Sequence, residues 1–185
     1  MICRISGERC YHHIKFGKMP LANGFLKNIP KKVKEFKYDL VAFFGKRSSM
    51  FQLLKFPKPK KMFNKNYPFY TSSSKYMINH FKKYSEFIYK NYLNEENYLI
   101  CEIGSNDGTF LKNFKYSNSI GFEPSLNVHR IAKKRGVNSV NKFFNFNNIK
   151  FLKKKYKKYD VVVGSNVFCH IPNQKDLIKI GRAHV

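Results

Sequence analysis

Short apolar runs alternate with amphipathic stretches from about residue 63 onward in this 185-residue chain. The runs are too short for helices, and their unbroken apolarity is typical of strands that helices cover on both faces of a parallel sheet. Strands are predicted within 99–103, 119–125, 137–140 and 159–163, and helices over 127–135 and 147–156. This alternation indicates an α/β fold with a doubly wound parallel sheet in the strand order 3-2-1-4.

A further amphipathic helix is predicted before the first strand. Four apolar residues recur at helical spacing and would lay one face of this helix on the sheet. They are Met77, Phe81, Tyr84 and Ile88. The serines at 72–74 can cap the helix at its N-terminus, because serine oxygens accept hydrogen bonds from the free N–H groups there.

Residues 1–62 lack a long periodic pattern, because glycines and prolines interrupt them repeatedly. Such punctuation predicts an irregular, turn-rich segment. We therefore predict a small irregular N-terminal domain over 1–62 and an α/β domain over 63–179.

A small domain of this kind is commonly stabilised by a structural zinc ion, which two C-x-x-C knuckles bind. Cys3 is present, but Ser6 stands three residues later, and Gly45 and Ser48 occupy a second pair of positions with the same spacing. Three of four thiolates are missing, so the sequence predicts no zinc at these knuckles.

Another ligand set for zinc would join Cys3 with Cys10, His12 and His13. Adjacent histidines rarely point the same way, and the alternative is a pair of surface histidines beside a buried cysteine. We expect no metal site here.

The first predicted strand runs into a glycine turn, EIGSNDG at 102–108. Glycines let the backbone approach a ligand closely, and the N-terminus of the helix predicted to follow offers unpaired N–H groups. A nucleotide-like ligand is the natural expectation. The ligand-binding role is assigned to Glu102, Gly104, Ser105, Asn106, Asp107 and Gly108.

The type of nucleotide can be argued from this turn. A dinucleotide fingerprint requires G-x-G-x-x-G, and the turn lacks that spacing. The carboxylates of Glu102 and Asp107 would repel a diphosphate, whereas they would attract a ligand with an ammonium and a sulfonium group. The turn therefore favours S-adenosylmethionine over NAD.

Glu123 follows the second predicted strand. A carboxylate at that place can accept hydrogen bonds from both vicinal hydroxyls of a ribose. The alternative is a ligand-free turn with Glu123 as a solvated loop residue, and the presence of both motifs in register favours the ligand.

Candidate catalytic residues lie at the ends of other segments. Asn166 and His170 follow the fourth predicted strand, and ligands bind outside the carboxyl ends of such strands. Tyr67 lies in the loop before the first helix, where its hydroxyl could face the same crevice. The alternatives are a packing tyrosine with a hydrated hydroxyl and a histidine at a helix start.

The formal net charge is +25 and the chain holds 36 Lys and Arg residues. No helix-turn-helix, zinc finger or RNA-binding aromatic motif accompanies this charge, so we expect no nucleic-acid partner. The sequence shows neither a signal peptide nor an apolar run of about 18 residues. A cytoplasmic protein without a membrane partner or a disulfide framework is predicted, and its oligomeric state is open.

Five motifs in this order resemble the nucleotide-sugar C-methyltransferases, class I S-adenosylmethionine enzymes with a zinc-knuckle N-terminal domain. They are GKMPLANGFL, YPFYTSSS, EIGSNDGTFLK, GFEPS and NVFCHIP. The resemblance implies a Rossmann-like sheet and a methyl donor held by Gly104, Asn106, Gly108 and Glu123. It also implies active-site positions at Tyr67, Asn166 and His170. The family's zinc cysteines match Cys3, Ser6, Gly45 and Ser48.

The implied reaction alkylates a carbon beside a ketone in a nucleotide-linked deoxysugar. A base removes the proton, hydrogen-bond donors stabilise the enolate oxygen, and the carbanion attacks the donor methyl. His170 and Tyr67 would be donors or proton shuttles, and Asn166 would position substrate or donor. Two other classes remain open, an NAD-dependent nucleotide-sugar oxidoreductase and a basic nucleic-acid-binding module.

The resemblance also implies a longer enzyme, with further strands and a Tyr/Glu/His cluster that contains the general base. Residues 180–185, IGRAHV, match the translation of a common sequencing-library adapter. We expect the chain to be an N-terminal fragment that is inactive, with the strand at 160–163 exposed as an open sheet edge.

Overall fold

The structure is a computed structural model that describes residues 1–26, 35–93, 97–152 and 158–182. The chain divides into two compact units, Met1–Met62 and Phe63–Val185. None of the described helices is long and apolar enough to cross a membrane.

The first unit contains a three-stranded antiparallel sheet. Its strands are β1 (His13–Pro20), β2 (Lys37–Gly45) and β3 (Met50–Leu53), in the order β1-β2-β3, and a short helix α1 (Pro59–Met62) follows them. The small N-terminal unit thus contains a regular sheet within the segment that the sequence predicted to be irregular and turn-rich. The pairing of β1 with β2 shifts between Lys15 and Gly17, and Gly17 has a φ of +80°, so the glycine that disrupts the periodicity forms a bulge within the strand.

The second unit is an α/β domain. Its regular elements are α2 (Lys75–Tyr92), β4 (Ile100–Ile103), β5 (Ser119–Phe122), α3 (Leu126–Lys134), β6 (Ser139–Val140), α4 (Phe146–Leu152), β7 (Val161–Val163) and α5 (Gln174–Arg182). The strands are parallel and lie in the order β6-β5-β4-β7. This is the predicted order 3-2-1-4, so the α/β, Rossmann-like prediction is confirmed.

The two faces of the sheet bury different apolar clusters, because successive strand residues point to opposite faces. Ile100 belongs to the cluster that includes Phe81 and Ile88 of α2. Cys101 belongs to the cluster that includes Ile149 of α4 and Leu177 of α5. Ile180 is also buried in this second cluster, so α5 continues into the segment that the sequence set aside as adapter-derived.

Helix α2 starts where the serines predicted it. Ser74 is the N-cap and its side chain accepts a hydrogen bond from the backbone N–H of Met77. Phe81 and Ile88 are buried, while Met77 and Tyr84 pack against the same cluster. The predicted end of the helix at 147–156 lies outside the described residues.

The helix predicted directly after the glycine turn does not form. Two short 3-10 turns, Leu111–Asn113 and Tyr116–Asn118, connect β4 to β5 instead. The side chain of Asn113 donates to the carbonyl oxygens of Thr109 and Phe110, at 3.3 and 2.8 Å. It thereby competes for carbonyls that a longer helix would need for its backbone bonds.

Candidate active site

Three loops meet at one edge of the parallel sheet. They follow β4, β5 and β7, and these strands are neighbours in the sheet. Because the carboxyl ends of adjacent parallel strands share an edge, the loops bring together residues at 104–108, 123–125 and 164–170. Most of the predicted site residues lie in these loops.

The glycine loop adopts backbone conformations that few side chains tolerate. Gly104, Asn106 and Gly108 have φ values of +69°, +48° and +78°. The N–H groups of Gly104 and Ser105 donate to the carbonyl oxygen of Phe122, at 2.8 and 3.1 Å. The turn is therefore anchored to the end of β5.

The two glycines of the loop face other parts of the protein. A Cβ atom at Gly104 would lie 2.9 Å from Val167 Cγ2, in the loop after β7. A Cβ atom at Gly108 would lie 2.7 Å from Val137 Cγ2 and 3.2 Å from Ala132 Cβ of α3. Both glycines thus permit close packing between loops and helix. The sequence had instead suggested that these glycines let a ligand approach the backbone.

Ser105, another predicted ligand-binding residue, is buried against β5. A Cβ atom at Gly121 would lie 2.4 Å from Ser105 Oγ, so the strand needs a glycine opposite this serine. Among the described residues, Ser105 Oγ has no hydrogen-bond partner.

Glu102 is the penultimate residue of β4, and its side chain is almost completely buried. Its Oε2 atom has no hydrogen-bond partner within the described part of the chain. Burial raises the pKa of Glu102 well above its usual value, and the charges of Glu123 and Asp107 add to the effect. A buried oxygen without a partner is rare in proteins and indicates a missing donor.

Glu123 is also buried, but both of its oxygens are used. Oε2 accepts from the backbone N–H of Asn106 at 2.9 Å, and Oε1 accepts from the N–H of Ser125 at 2.7 Å. Burial raises the pKa of Glu123, although these bonds oppose the increase. Each carboxylate oxygen can accept a further hydrogen bond, so the group remains able to hold two hydroxyls.

Asp107 is not available to a ligand in the way the sequence predicted. Its side chain is fully buried, and its oxygens accept from the hydroxyl of Thr109 at 2.6 Å and the N–H of Ser72 at 3.0 Å. Arg135 forms an ion pair with it. Burial alone would raise the pKa of Asp107, but these partners outweigh it and hold the pKa below the usual 3.8. Its charge is therefore balanced inside the protein.

Tyr67 and His170 belong to one aromatic cluster, although they are far apart in the chain. The ring of Phe63 lies 5.6 Å from that of Tyr67 and 5.5 Å from that of His170, and the ring of Phe69 lies 5.6 Å from that of Tyr67. Burial raises the pKa of Tyr67, and the charge of Glu123 adds to this increase. The negative charge of Glu123 thus contributes to the electrostatic environment of the Tyr67 phenol.

The third predicted catalytic residue, Asn166, is exposed in the turn after β7 with a φ of +52°. Asparagine tolerates this left-handed conformation better than most residues. His170 ends the adjacent 3-10 turn, Phe168–His170, and is exposed. The two residues therefore lie on the loop whose Val167 packs against Gly104.

Asn127, in the first turn of α3, is a residue that the sequence interpretation missed. Its Oδ1 accepts from the backbone N–H of Tyr67 at 3.2 Å, and its Nδ2 donates to the carbonyl oxygen of Tyr67 at 2.7 Å. Nδ2 also donates to the hydroxyl of Tyr70 at 2.8 Å. Nothing in the local sequence distinguishes this side chain from an ordinary polar residue at a helix start.

In the first unit, the four knuckle positions do come together. Cys3 Sγ lies 3.2 Å from Ser48 Oγ and accepts from the N–H of Ser6 at 3.4 Å. A Cβ atom at Gly45 would lie 3.1 Å from the same sulfur, and Gln52 Nε2 donates to it at 2.9 Å. Burial would raise the pKa of the Cys3 thiol, but the hydrogen bonds from Ser48, Ser6 and Gln52 lower it to about 6.

These residues do not fit a structural zinc ion, which needs four thiolate or imidazole ligands. Only one of the four positions carries a thiol, and hydrogen-bond donors surround it. No group of three or more His, Cys, Asp or Glu side chains among the described residues could hold a metal ion. Cys10 is buried, whereas His12 and His13 are exposed.

Comparison with known proteins gives two family matches. Residues 75–185, more than half of the chain, match the family described as "Methyltransferase domain". Residues 3–63 match the family described as "Putative zinc binding domain". The first match agrees with the parallel sheet. The second names a metal, whereas the four knuckle positions of this chain carry a single thiol, that of Cys3.

A curated relative is similar over most of this chain. C-methyltransferase NovU from Streptomyces niveus is 24% identical over 179 residues, which cover 95% of this chain and 42% of the relative. The chain thus spans less than half the length of that protein.

Proposed function

Because this chain belongs to the methyltransferase domain family, we propose that it carries the donor site of an S-adenosylmethionine-dependent C-methyltransferase that acts on a nucleotide-linked keto-deoxysugar. The observation that carries the proposal is the buried Glu102 carboxyl, with an unpartnered oxygen, beside the buried Glu123 at the glycine loop. Similarity to a protein named as a C-methyltransferase supports methylation at carbon.

The two carboxyl groups at the glycine loop fit S-adenosylmethionine, which carries an ammonium group, a sulfonium group and two ribose hydroxyls. Glu102 would accept from a cationic donor, and such a partner would satisfy the oxygen that has none in the described structure. Glu123 would hold the ribose hydroxyls while the N–H groups of Asn106 and Ser125 keep its carboxylate in place. When bound, the donor supplies an electrophilic methyl group.

The acceptor would lie beside the aromatic cluster of Phe63, Tyr67, Phe69 and His170. Tyr67 keeps its proton at neutral pH, as a phenol ordinarily does, and burial and the Glu123 charge raise its pKa further. It can therefore donate a hydrogen bond to an oxygen that becomes negative when the neighbouring carbon loses a proton. His170 is the second group that can donate or transfer a proton there, and Asn166 would orient the acceptor.

A nucleotide-linked acceptor agrees with the electrostatics of the chain. The net charge of +25 produces a positive field that attracts a diphosphate from solution. The buried carboxyls lie at the glycine loop, where a cationic donor would be favoured instead. The two ligands would thus be sorted by charge.

Calorimetry of the purified chain tests the donor assignment. We expect binding of S-adenosylmethionine and S-adenosylhomocysteine, weakened roughly 10- to 100-fold by Glu123→Gln through loss of charge-assisted bonds to the ribose. Glu86→Gln, an exposed change on α2, is the matched control and should not alter affinity. NADH binding tighter than that of either donor ligand would refute the proposal in favour of an oxidoreductase.

A further inference from the structure

The segment that carries Tyr67 is fixed by side chains and not by a strand or helix. Residues 63–70 form no regular element between α1 and the 3-10 turn Thr71–Ser73. The backbone of Tyr67 is bonded on both sides by Asn127, at 3.2 Å to its N–H and 2.7 Å to its carbonyl. Asn106 bonds the same segment further along, to the carbonyl of Phe69 at 3.1 Å and the N–H of Thr71 at 3.0 Å.

A carboxamide is suited to this task because it offers one acceptor and two N–H donors. Asn127 thus takes the place that a neighbouring strand would have, accepting from one backbone group of Tyr67 and donating to the other. Its second N–H group is used as well, for the hydroxyl of Tyr70. Pro68 further restricts Tyr67 to extended conformations, since the residue before a proline disfavours the helical region.

Asn127 also connects Tyr67 to the loop after β5. It lies two residues after Ser125, whose N–H donates to Glu123 at 2.7 Å. Burial and, to a smaller extent, the charge of Glu123 raise the pKa of the Tyr67 phenol. One short stretch of chain, 123–127, therefore carries both the carboxylate assigned to the donor and the amide that holds the tyrosine assigned to the acceptor.

We propose that Asn127 is a positioning residue, whose carboxamide holds the backbone of Tyr67 so that its ring stays in the aromatic cluster with Phe63 and Phe69. The catalytic meaning of this position rests on the proposed function, in which Tyr67 faces the acceptor. The clamp, meaning the two hydrogen bonds between the Asn127 carboxamide and the Tyr67 backbone, is a property of the ligand-free chain and can be measured without any ligand.

Three variants separate the clamp from a general effect on folding. Asn127→Ala removes all three bonds. Asn127→Asp keeps the acceptor for the Tyr67 N–H but loses both donors, and a carboxylate in the first turn favours the helix. Tyr70→Phe removes only the bond to the hydroxyl of Tyr70 and is the matched control.

Hydrogen exchange of the Tyr67 amide is the first measurement. We expect exchange roughly five- to tenfold faster in Asn127→Ala, as the loss of one ordinary hydrogen bond predicts. Protection should be close to the unmodified level in Asn127→Asp and Tyr70→Phe. Equal loss of protection at Tyr67 and at the amides of α3 in Asn127→Ala would show that Asn127 only stabilises the helix, and would overturn the proposal.

The second measurement is the pH titration of the Tyr67 phenol by carbon NMR of ring-labelled tyrosine, with the signal assigned by Tyr67→Phe. In Asn127→Ala the phenol should titrate at lower pH than in the unmodified chain, because it becomes more exposed to water and less affected by the negative charge of Glu123. Tyr70→Phe should leave the titration unchanged. An unaltered Tyr67 titration in Asn127→Ala would also overturn the proposal.

Calorimetry with S-adenosylhomocysteine separates this inference from the function. A chain that shows the clamp signatures but binds no donor ligand would contradict the proposed function and leave the positioning role intact. A chain that binds the ligand but exchanges the Tyr67 amide at the same rate in all variants would do the reverse.

Discussion

Asp107 and Arg135 join the glycine loop to the end of α3 through an ion pair, with Arg135 Nη1 3.2 Å from Asp107 Oδ2. The same guanidinium donates to the carbonyl oxygen of Asp107 at 3.1 Å and to Ser72 Oγ at 2.7 Å. Three segments, the loop, the helix end and the turn before α2, therefore depend on one arginine. This explains why a carboxylate at a predicted ligand loop is occupied internally.

Arg135→Gln should lower the free energy of unfolding by about 1–3 kcal/mol, because it leaves a buried carboxylate with fewer charged partners. Arg130→Gln, an exposed change on the same helix, should have little effect. Chemical denaturation followed by circular dichroism measures both. Equal stability of the two variants would contradict the structural role of the ion pair.

The same pair predicts a pH dependence. The pKa of Asp107 is lowered from 3.8 in the folded chain. Its stabilising contribution is therefore complete above the unfolded pKa and disappears as pH falls from 3.8 through the lower folded value. Unfolding curves should be measured from neutral pH down through this acidic range. The difference in free energy of unfolding between the unmodified chain and Arg135→Gln should be largest at neutral pH and should shrink toward low pH.

Glu102→Gln should have the opposite effect on stability. Burial raises the pKa of Glu102, so above the unfolded value of 4.5 the unfolded chain releases a proton that the folded chain keeps, and the stability of the ligand-free fold falls as pH rises toward the higher folded pKa. We expect Glu102→Gln to stabilise the ligand-free chain at neutral pH by about 1–3 kcal/mol and to weaken donor binding. Thermal unfolding at pH 4.5 and at neutral pH, with Glu86→Gln as the exposed control, measures the difference. A stabilisation that did not grow with pH would argue against it.

Gly108 of the glycine loop and Gly136 after α3 differ in a way that alanine substitutions can resolve. Gly108 and Gly136 both have positive φ, +78° and +75°, but a Cβ at Gly108 would meet Val137 at 2.7 Å whereas nothing lies within 4 Å of one at Gly136. Gly136→Ala should cost about 1 kcal/mol from backbone strain alone, and Gly108→Ala about 1–3 kcal/mol more from overpacking. Denaturation midpoints of the two variants provide the test, and equal costs would show that the close packing is not real.

Restoring the missing thiols should convert the first unit into a zinc site. Ser6, Gly45 and Ser48 already surround Cys3. Ser6 and Ser48 form hydrogen bonds with its sulfur, and a Cβ atom at Gly45 would lie 3.1 Å from the same sulfur. We expect the triple variant Ser6→Cys, Gly45→Cys, Ser48→Cys to bind one zinc per chain and to melt at higher temperature. Metal analysis by atomic emission measures the stoichiometry.

The control for this prediction is the same triple variant with Cys3→Ala, which should lose the zinc. The unmodified chain should contain none. One zinc per unmodified chain, lost in Cys3→Ala or Cys10→Ala, would show that the domain recruits another ligand set.

Local pattern was sufficient for much of the second unit. Apolar runs bounded by turns placed the strands, and the general rules of doubly wound sheets then predicted the order of strands observed in β6-β5-β4-β7. The positions of Glu102, Glu123 and the loop after β7 at one edge followed from that order. These features depend on periodicity and chain connectivity, which the order of neighbouring residues in the sequence determines.

Contacts between distant residues decided the rest. The ion pair that occupies Asp107 and the carboxamide that holds Tyr67 join positions 28 and 60 residues apart. The bulge at Gly17 and the bond network around Cys3 likewise depend on partners in other strands. A side chain's partners are set by which surfaces meet after the chain has packed, and no local pattern encodes that meeting, so only the tertiary structure shows which polar residues serve the fold and which remain for a ligand.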